Sequence, residues 1–321
     1  MKIIHITHPH QFQRENIPST VLAIGYFDGV HLGHQKVIKA AKKIADENRQ
    51  SSAVMTFDPH PSVVLGNGRN QVKLITTIEE KAEIISGLGI DMMYIITFNE
   101  EFASLLPQQF VDEYIIGLNV KHVVAGFDFS YGRLGKGNME TLPFHSRDEF
   151  TQTTIEKMTV SQQKISSTLI REQINSGQLL EIRELLGRFF TLSGIVVHGD
   201  KRGRTIGFPT ANLDVSKGYN VPPVGVYAVR VNVKSKWFNG VCNIGYKPTF
   251  HKDKKVPTIE VHIFDFNEDI YGEKIIVEWH ERIRSEKKFE NVSELIEQIQ
   301  KDKENAVKYF EKITPETCFF S

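Results

Sequence analysis

The chain has 321 residues, and 39 Lys plus Arg against 39 Asp plus Glu leave no net charge at neutral pH. That length suits two domains, each with its own core, and the charge balance gives no general pull toward nucleic acid or an anionic membrane. Two distant cysteines, Cys242 and Cys318, form neither a metal spacing nor a disulfide framework and point to a reducing cytoplasm. No apolar run is long enough to span a membrane, and Met1–His5 lacks signal-peptide anatomy.

From Lys2 to about Leu186 the chain alternates two periodicities. Val21–Phe27, Ala53–Phe57, Met92–Phe98 and His122–Ala125 read as buried parallel strands, with helical patterns at His34–Glu47, Thr77–Leu88 and Pro107–Leu118 between them. This alternation predicts an open parallel sheet with helices on both faces and a ligand edge at the carboxyl ends of the strands.

The turn Gly25-Tyr26-Phe27-Asp28-Gly29-Val30-His31-Leu32-Gly33-His34 falls at that edge, between the first of these strands and its helix. Backbone N–H groups and the helix dipole suit such a place to a polyphosphate, and His31 and His34, three apart, can reach the same phosphate chain. Thr56-Phe57-Asp58-Pro59-His60-Pro61 ends the second strand, where two prolines force a turn; Asp58 and His60 either contact nucleotide or close that turn. Gly126-Phe127-Asp128-Phe129-Ser130-Tyr131-Gly132 follows the fourth strand and continues into a basic, glycine-rich loop with Arg133 and Lys136, suited to close over a ligand or to stand in solvent. Ser166-Ser167-Thr168-Leu169-Ile170-Arg171 opens another helix with Ser166 available as a cap, and Gln178–Leu186 closes the half.

In order and spacing, Gly25–His34, Thr56–Pro61, Gly126–Gly132 and Ser166–Arg171 resemble the adenylyltransferase half of bacterial bifunctional riboflavin kinase/FAD synthetases. The resemblance implies a nucleotidyltransferase fold in which FMN and ATP give FAD and pyrophosphate. It implies that His31, His34 and Arg171 stabilise charge, that Gly25, Phe27, Asp28, Gly33, Asp58, Ser166 and Thr168 bind nucleotide, and that Asp128 and Phe129 bind flavin. The FMN phosphate is already ionised at neutral pH, so this reaction needs alignment and charge stabilisation and no general base.

After Gly187 the pattern changes. Thr191–Val197, Gly225–Val233, Trp237–Ile244, Pro257–Phe264 and Lys274–His280 read as strands separated by turns, and one amphipathic helix runs from Ser293 to about Lys312. Strands without intervening helices predict an antiparallel barrel. The expected boundary gives domains 1–186 and 187–321. Within Gly194–Leu213, three glycines (Gly199, Gly203, Gly207) lie among Lys201, Arg202 and Arg204, which suits close phosphate approach. If Pro209–Asn212 is extended, Thr210 and Asn212 face the same way and offer two hard oxygens to Mg²⁺.

This half resembles the riboflavin kinase half of the same enzymes, through Gly207-Phe208-Pro209-Thr210-Ala211-Asn212, Pro223–Tyr227, Asn243–Phe250, Glu260–Phe266 and Arg282–Phe289. The resemblance implies a six-stranded barrel that transfers the ATP γ-phosphate to riboflavin. Glu260 is then the base, because an alcohol must lose a proton to attack. Gly199, Lys201, Gly203, Arg204 and Gly207 bind nucleotide, Thr210 and Asn212 hold Mg²⁺, and Pro209, Arg284 and Glu286 contact flavin. The expected partners are riboflavin, FMN and ATP, and the chain is expected to be a monomer or weak homo-oligomer. Another nucleotidyl acceptor, or a flavin-binding regulator without catalysis, are the competing readings. The Gly-Phe-Pro-Thr-Ala-Asn run disfavours the first, and retention of His31, His34, Asn212 and Glu260 disfavours the second.

Overall fold

The computed structural model describes residues 1–66, 72–199, 203, 206–216, 218–246 and 257–313. Lys201, Arg204, the Lys247–Phe250 stretch and the Thr314–Ser321 tail lie outside the described residues. The chain divides into two compact units, 1–167 and 168–321.

The first unit opens with β1 (Lys2–Ile6), β2 (Thr20–Ile24), α1 (Leu32–Glu47), β3 (Ser51–Asp58), α2 (Pro61–Leu65), α3 (Ile78–Gly87) and β4 (Met92–Thr97). It continues with α4 (Glu100–Ala103), α5 (Pro107–Phe110), β5 (Val120–Gly126), a small ribbon of β6 (Ser130–Tyr131) and β7 (Gly137–Asn138), and α6 (Leu142–Ser146). Then come β8 (Thr151–Ile155) and a second ribbon of β9 (Thr159–Val160) and β10 (Gln163–Lys164). The main sheet has order β1-β4-β3-β2-β5-β8 and is parallel throughout.

The four strands expected from apolar runs are the four interior ones. They are buried on both faces: Leu22, Ile24, Ala53 and Met55 pack with Phe102, Phe110 and Tyr114, while Val21, Ala23 and Val54 pack with Val37, Ile38 and Ala41 of α1 and Ile85 of α3. The expected strands do not include edge strands β1 and β8. Each needs apolar contact on less of its surface, and β8 reads Thr-Gln-Thr-Thr-Ile with no buried residue. The expected helix Pro107–Leu118 is α-helical only to Phe110. From Val111 to Ile116 it widens to a π-helix that ends with Gly117 N–H donating five residues back to Asp112 O at 2.8 Å. α1 begins at Leu32, two residues early, because His31 caps it.

The second unit contains α7 (Ser167–Ser176) beyond its first residue, α8 (Leu179–Leu186), β11 (Phe190–Val197), β12 (Ala211–Val215), β13 (Gly225–Val233), β14 (Lys236–Tyr246), β15 (Pro257–Ile263), β16 (Lys274–Arg284) and α9 (Val292–Lys312). The six strands close a barrel in the order β11-β12-β15-β14-β13-β16, with neighbours antiparallel. Its interior is filled by Trp279 and Tyr227, edge to face at 5.3 Å, with Val229, Val231, Cys242, Ile244 and Val261 around them. Helices α7 and α8, expected to close the first half, group with the barrel; Arg183 of α8 lies over the Phe189 ring just before β11.

Candidate functional sites

In the first unit the chain leaves β2 toward β3 on one side and later places β5 on the other. The crevice beyond the carboxyl end of β2 is therefore the switch point where open α/β sheets take ligands. The glycine-rich turn lies there. Its backbone is unusual: Phe27 has φ +55° and Val30, a β-branched residue, has φ +40°. Such a conformation is unfavourable and persists only where the surroundings impose it. Here Val30 N–H donates to Phe27 O at 3.2 Å, and Gln35 Nε2 donates to Val30 O at 3.0 Å.

Asp28 supplies much of that constraint. Its carboxylate is 1% exposed and accepts the backbone N–H groups of Ile75 and Thr76 at 3.0 and 3.2 Å. Gly29 N–H donates to Thr76 Oγ1 at 3.0 Å, and Ser167 Oγ donates to Asp28 O at 2.9 Å. Asp28, expected to bind nucleotide, has its carboxylate turned inward, where two buried amides need an acceptor.

His31 is the N-cap of α1, and its Nδ1 accepts His34 N–H at 3.2 Å. The two imidazoles are stacked, with centroids 3.5 Å apart, and Phe27 meets His34 edge-on at 5.3 Å. Thus the pair does converge, but with His31 as a cap below the helix and not as a second residue on its face. Burial, then the neighbouring His31 and Lys81, hold the His34 pKa well below its ordinary value, so its imidazole is neutral at pH 7. Its Nδ1 is buried without a hydrogen-bond partner. A small residue is needed at Gly25, because a Cβ there would come within 2.9 Å of the Phe27 ring.

These groups border a cavity of about 560 Å³. Of the residues singled out from sequence, Gly25, Phe27, His31, Gly33, His34, Asp128, Phe129 and Ser166 line it and Asp58 does not. The size is that of a pocket for a nucleotide or a fused-ring ligand. Phe57, Phe98, Phe102 and Tyr131 form an aromatic wall; Phe57 and Tyr131 stand within the two motifs read from sequence, whereas Phe98 and Phe102 were missed, since each reads locally as core. Lys164 was missed as well: its Nζ donates to Asp128 Oδ2 at 2.7 Å and lies 4.6 Å from the Phe127 ring centroid. From the basic loop, Leu134 and Gly135 reach the cavity while Arg133 and Lys136 do not. His60 closes the turn after β3: Ser62 N–H donates to its Nδ1 at 3.0 Å, and its ring meets Tyr26 edge-on. Thr168 and Arg171 lie on α7 in the second unit, where Asn220 Nδ2 donates to Arg171 O at 3.3 Å.

The second site is built on the barrel wall. Ile259, Val261 and Ile263 of β15 point inward, which leaves Glu260 on the other face. Register sets Glu260 between Asn212 of β12 and Asn243 of β14, so three polar side chains form a row across three strands. Asn243 was not singled out from sequence; its place opposite Glu260 exists only once the strands pair. A Cβ on Gly245 would come within 3.2 Å of both Asn243 Nδ2 and Glu286 Oε1, which brings Glu286 to the end of that row. At the other end, a Cβ on Gly199 would collide with the Asn212 amide and one on Gly203 with the Phe208 carbonyl, so both glycines are required by close approach. Thr210 Oγ1 lies 3.4 Å from that same Gly203 position. Gly207 has φ +85°, and the following turn is pinned where Pro209 O accepts from His262 Nδ1 at 2.8 Å.

Arg284 does not join this row. Its guanidinium forks onto Asp302 of α9, with Nε donating at 2.9 Å to Oδ1 and Nη2 at 2.7 Å to Oδ2, and Nη1 donates to Ser285 O at 3.0 Å. Asp302 is 3% exposed, and a buried carboxylate holds an arginine firmly. Arg284, expected to contact flavin, here forms a clamp between β16 and α9.

A family model described as FAD synthetase matches residues 13–169, and one described as riboflavin kinase matches residues 186–310. Bifunctional riboflavin kinase/FMN adenylyltransferases are similar over nearly the whole chain. The Bacillus subtilis protein is 54% identical, covering 98% of this chain and 99% of its own length, and the Listeria monocytogenes protein is 49% identical with the same coverage. A solved Streptococcus pneumoniae structure titled a macrolide-efflux protein is 35% identical over 95% of this chain and 99% of its own, with a TM-score of 0.84. Among the described residues no helix is long and apolar enough to cross a membrane. With both models and full-length relatives in agreement, the chain belongs to the bifunctional riboflavin kinase/FMN adenylyltransferase family.

Proposed function

We infer that this chain phosphorylates riboflavin with ATP to FMN at the barrel, and adenylylates FMN with ATP to FAD at the sheet edge. The observation that carries the reading is one chain holding two separate sites: a stacked His31–His34 pair at the start of α1, and a Glu260 row between Asn212 and Asn243.

The two sites suit different nucleophiles. At the sheet edge the FMN phosphate attacks the α-phosphate of ATP, and pyrophosphate leaves with the electron pair of the broken P–O bond. Since the attacking oxygen is already an anion, the protein contributes alignment, helix N–H groups and the ring nitrogens of His31 and His34. The aromatic wall takes a flavin or adenine ring, and Arg171 is the further cation proposed for this reaction. At the barrel the ribityl hydroxyl must lose its proton, and Glu260, on the polar face, accepts it. Gly199, Gly203 and Gly207, with Lys201 and Arg204, receive the phosphates.

ATP enzymes of these families generally use a divalent metal, and Mg²⁺ is the ion proposed here. The Thr210 hydroxyl and the Asn212 amide oxygen are hard, neutral donors, which fit Mg²⁺ that already carries phosphate oxygens. Bound there, it would offset phosphate charge during transfer. A cytoplasmic setting belongs to the same reading, supported by the unpaired, buried Cys242.

The test is incubation of the purified chain with riboflavin, ATP and Mg²⁺, with chromatographic identification of the products. FMN followed by FAD is expected; production of neither overturns the reading, and FMN alone overturns the sheet-edge half of it.

A further inference from the structure

Lys81 belongs to none of the motifs that the two reactions use. It sits on the apolar stripe of α3, between Ile78 and Ile85, and is only 3% exposed. A buried ammonium is unfavourable unless neighbouring groups compensate it. Nζ donates to Tyr26 O at 2.8 Å and to Thr56 Oγ1 at 3.1 Å, and it lies 4.4 Å from the Tyr26 ring centroid. The Thr56 hydroxyl donates to the same Tyr26 carbonyl at 2.8 Å, so one oxygen ties the turn after β2 to the end of β3.

The charges around Lys81 explain why a cation is needed there. Burial lowers the Lys81 pKa to about 8, and Asp28 and Asp58 act against it, attractively, so the group is still an ammonium at pH 7. Asp28 cannot be dispensed with, since Ile75 and Thr76 depend on its carboxylate. Two carboxylates at the carboxyl ends of β2 and β3 would repel a triphosphate arriving at the turn. A mobile surface lysine would pair with solvent or ligand; a lysine locked beneath the turn cancels the carboxylates without entering the site.

We propose that Lys81 is a positioning residue for ATP in FAD formation: its fixed ammonium offsets Asp28 and Asp58 beneath the turn and pins the Tyr26 carbonyl. The proposal rests on the placement of ATP at the His31–His34 turn argued above. Lys81 touches no reacting atom, so it acts on ATP binding more than on turnover.

The test compares full-length Lys81→Gln, which keeps a donor and loses the charge, with Lys81→Arg, which keeps the charge. In Lys81→Gln the KM for ATP in FAD formation is expected to rise about tenfold, the effect of one charge about 12 Å away at an effective dielectric of about 20. The KM for FMN and riboflavin phosphorylation by the same preparation should not change, and Lys81→Arg should recover most of the loss. The His34 ring protons, followed by NMR, should titrate at higher pH in Lys81→Gln, because the Lys81 charge that helps to hold the His34 pKa down is gone. A residue that merely fills space would leave that titration in place. Should Lys81→Gln fail to fold, Lys81→Arg decides: a KM for ATP near that of the parent supports the proposal and a large rise refutes it. An unchanged KM for ATP in Lys81→Gln, an equal rise for FMN, or an unmoved His34 titration also overturns it. Survival of FAD formation in His31→Ala would instead overturn the placement of ATP, so the two failures are distinct.

Discussion

His31 performs two separable tasks, and replacing it by Asn divides them. The first is structural: Nδ1 caps α1 by accepting His34 N–H at 3.2 Å. Losing such a cap to Ala costs about 1 kcal/mol, whereas Asn is itself among the preferred caps. In a unit of 167 residues that corresponds to a fall of about 2–4 °C in Tm for His31→Ala and little change for His31→Asn. The second task is the proposed one, a ring nitrogen presented to the reacting phosphates. Removing one such group lowers the rate by about 10²–10³-fold, or roughly 2.7–4 kcal/mol of transition-state stabilisation. His31→Asn is therefore expected to melt like the parent, to lose FAD formation by about two to three orders of magnitude, and to phosphorylate riboflavin normally. Calorimetry gives the first quantity, and chromatographic rates from FMN and from riboflavin give the others. FAD formation within about tenfold of the parent, or an Asn variant that melts as low as the Ala variant, would refute the reasoning.

Glu260→Gln should slow FMN formation by about 10²–10⁴-fold, the range for a lost general base, while added FMN is still converted to FAD; equal loss of both reactions in rate assays would contradict the assignment. Arg284→Met leaves the Asp302 carboxylate with Gln298 Nε2, at 2.9 Å, as its remaining side-chain donor, and should cost about 3 kcal/mol in urea unfolding of the second unit. The further change Asp302→Leu should restore most of it, and a cost below about 1 kcal/mol for Arg284→Met would mean that the pair behaves as a surface bridge. His34 and His280 both have folded pKa values below 6.5, chiefly through burial, so the unfolded chain binds more protons below that pH. Their contribution is intact above about pH 6.5 and is lost as the pH falls below it; urea midpoints should drop from pH 7 to pH 5, less steeply in His34→Gln, and flat midpoints would rule this out.

Much of the fold was legible because burial leaves a trace in sequence. Strands β2, β3, β4 and β5 are covered on both faces and so read as continuous apolar runs, and β15 alternates on the barrel wall with Ile259, Val261 and Ile263 buried. Edge strand β1 was hidden because its partner, β4, lies about 90 residues away and only Ile6 of its own residues is buried. A sign for Lys81 was present in the form of a lysine on an apolar helix stripe, but its partner Tyr26 is 55 residues distant.

Local sequence determined that His31 and His34 would fall at a strand-to-helix turn and that Glu260 would stand on a polar strand face, because strand period and helix period are properties of neighbouring residues. Tertiary structure alone decided where each charge points. Asp28 turns inward to amides 47 residues away, Arg284 forks onto Asp302 across the barrel wall, and Glu260 acquires Asn212 and Asn243 through strand register. A carboxylate or guanidinium binds whichever buried partner folding brings nearest, and that distance is set by packing between segments far apart in the chain.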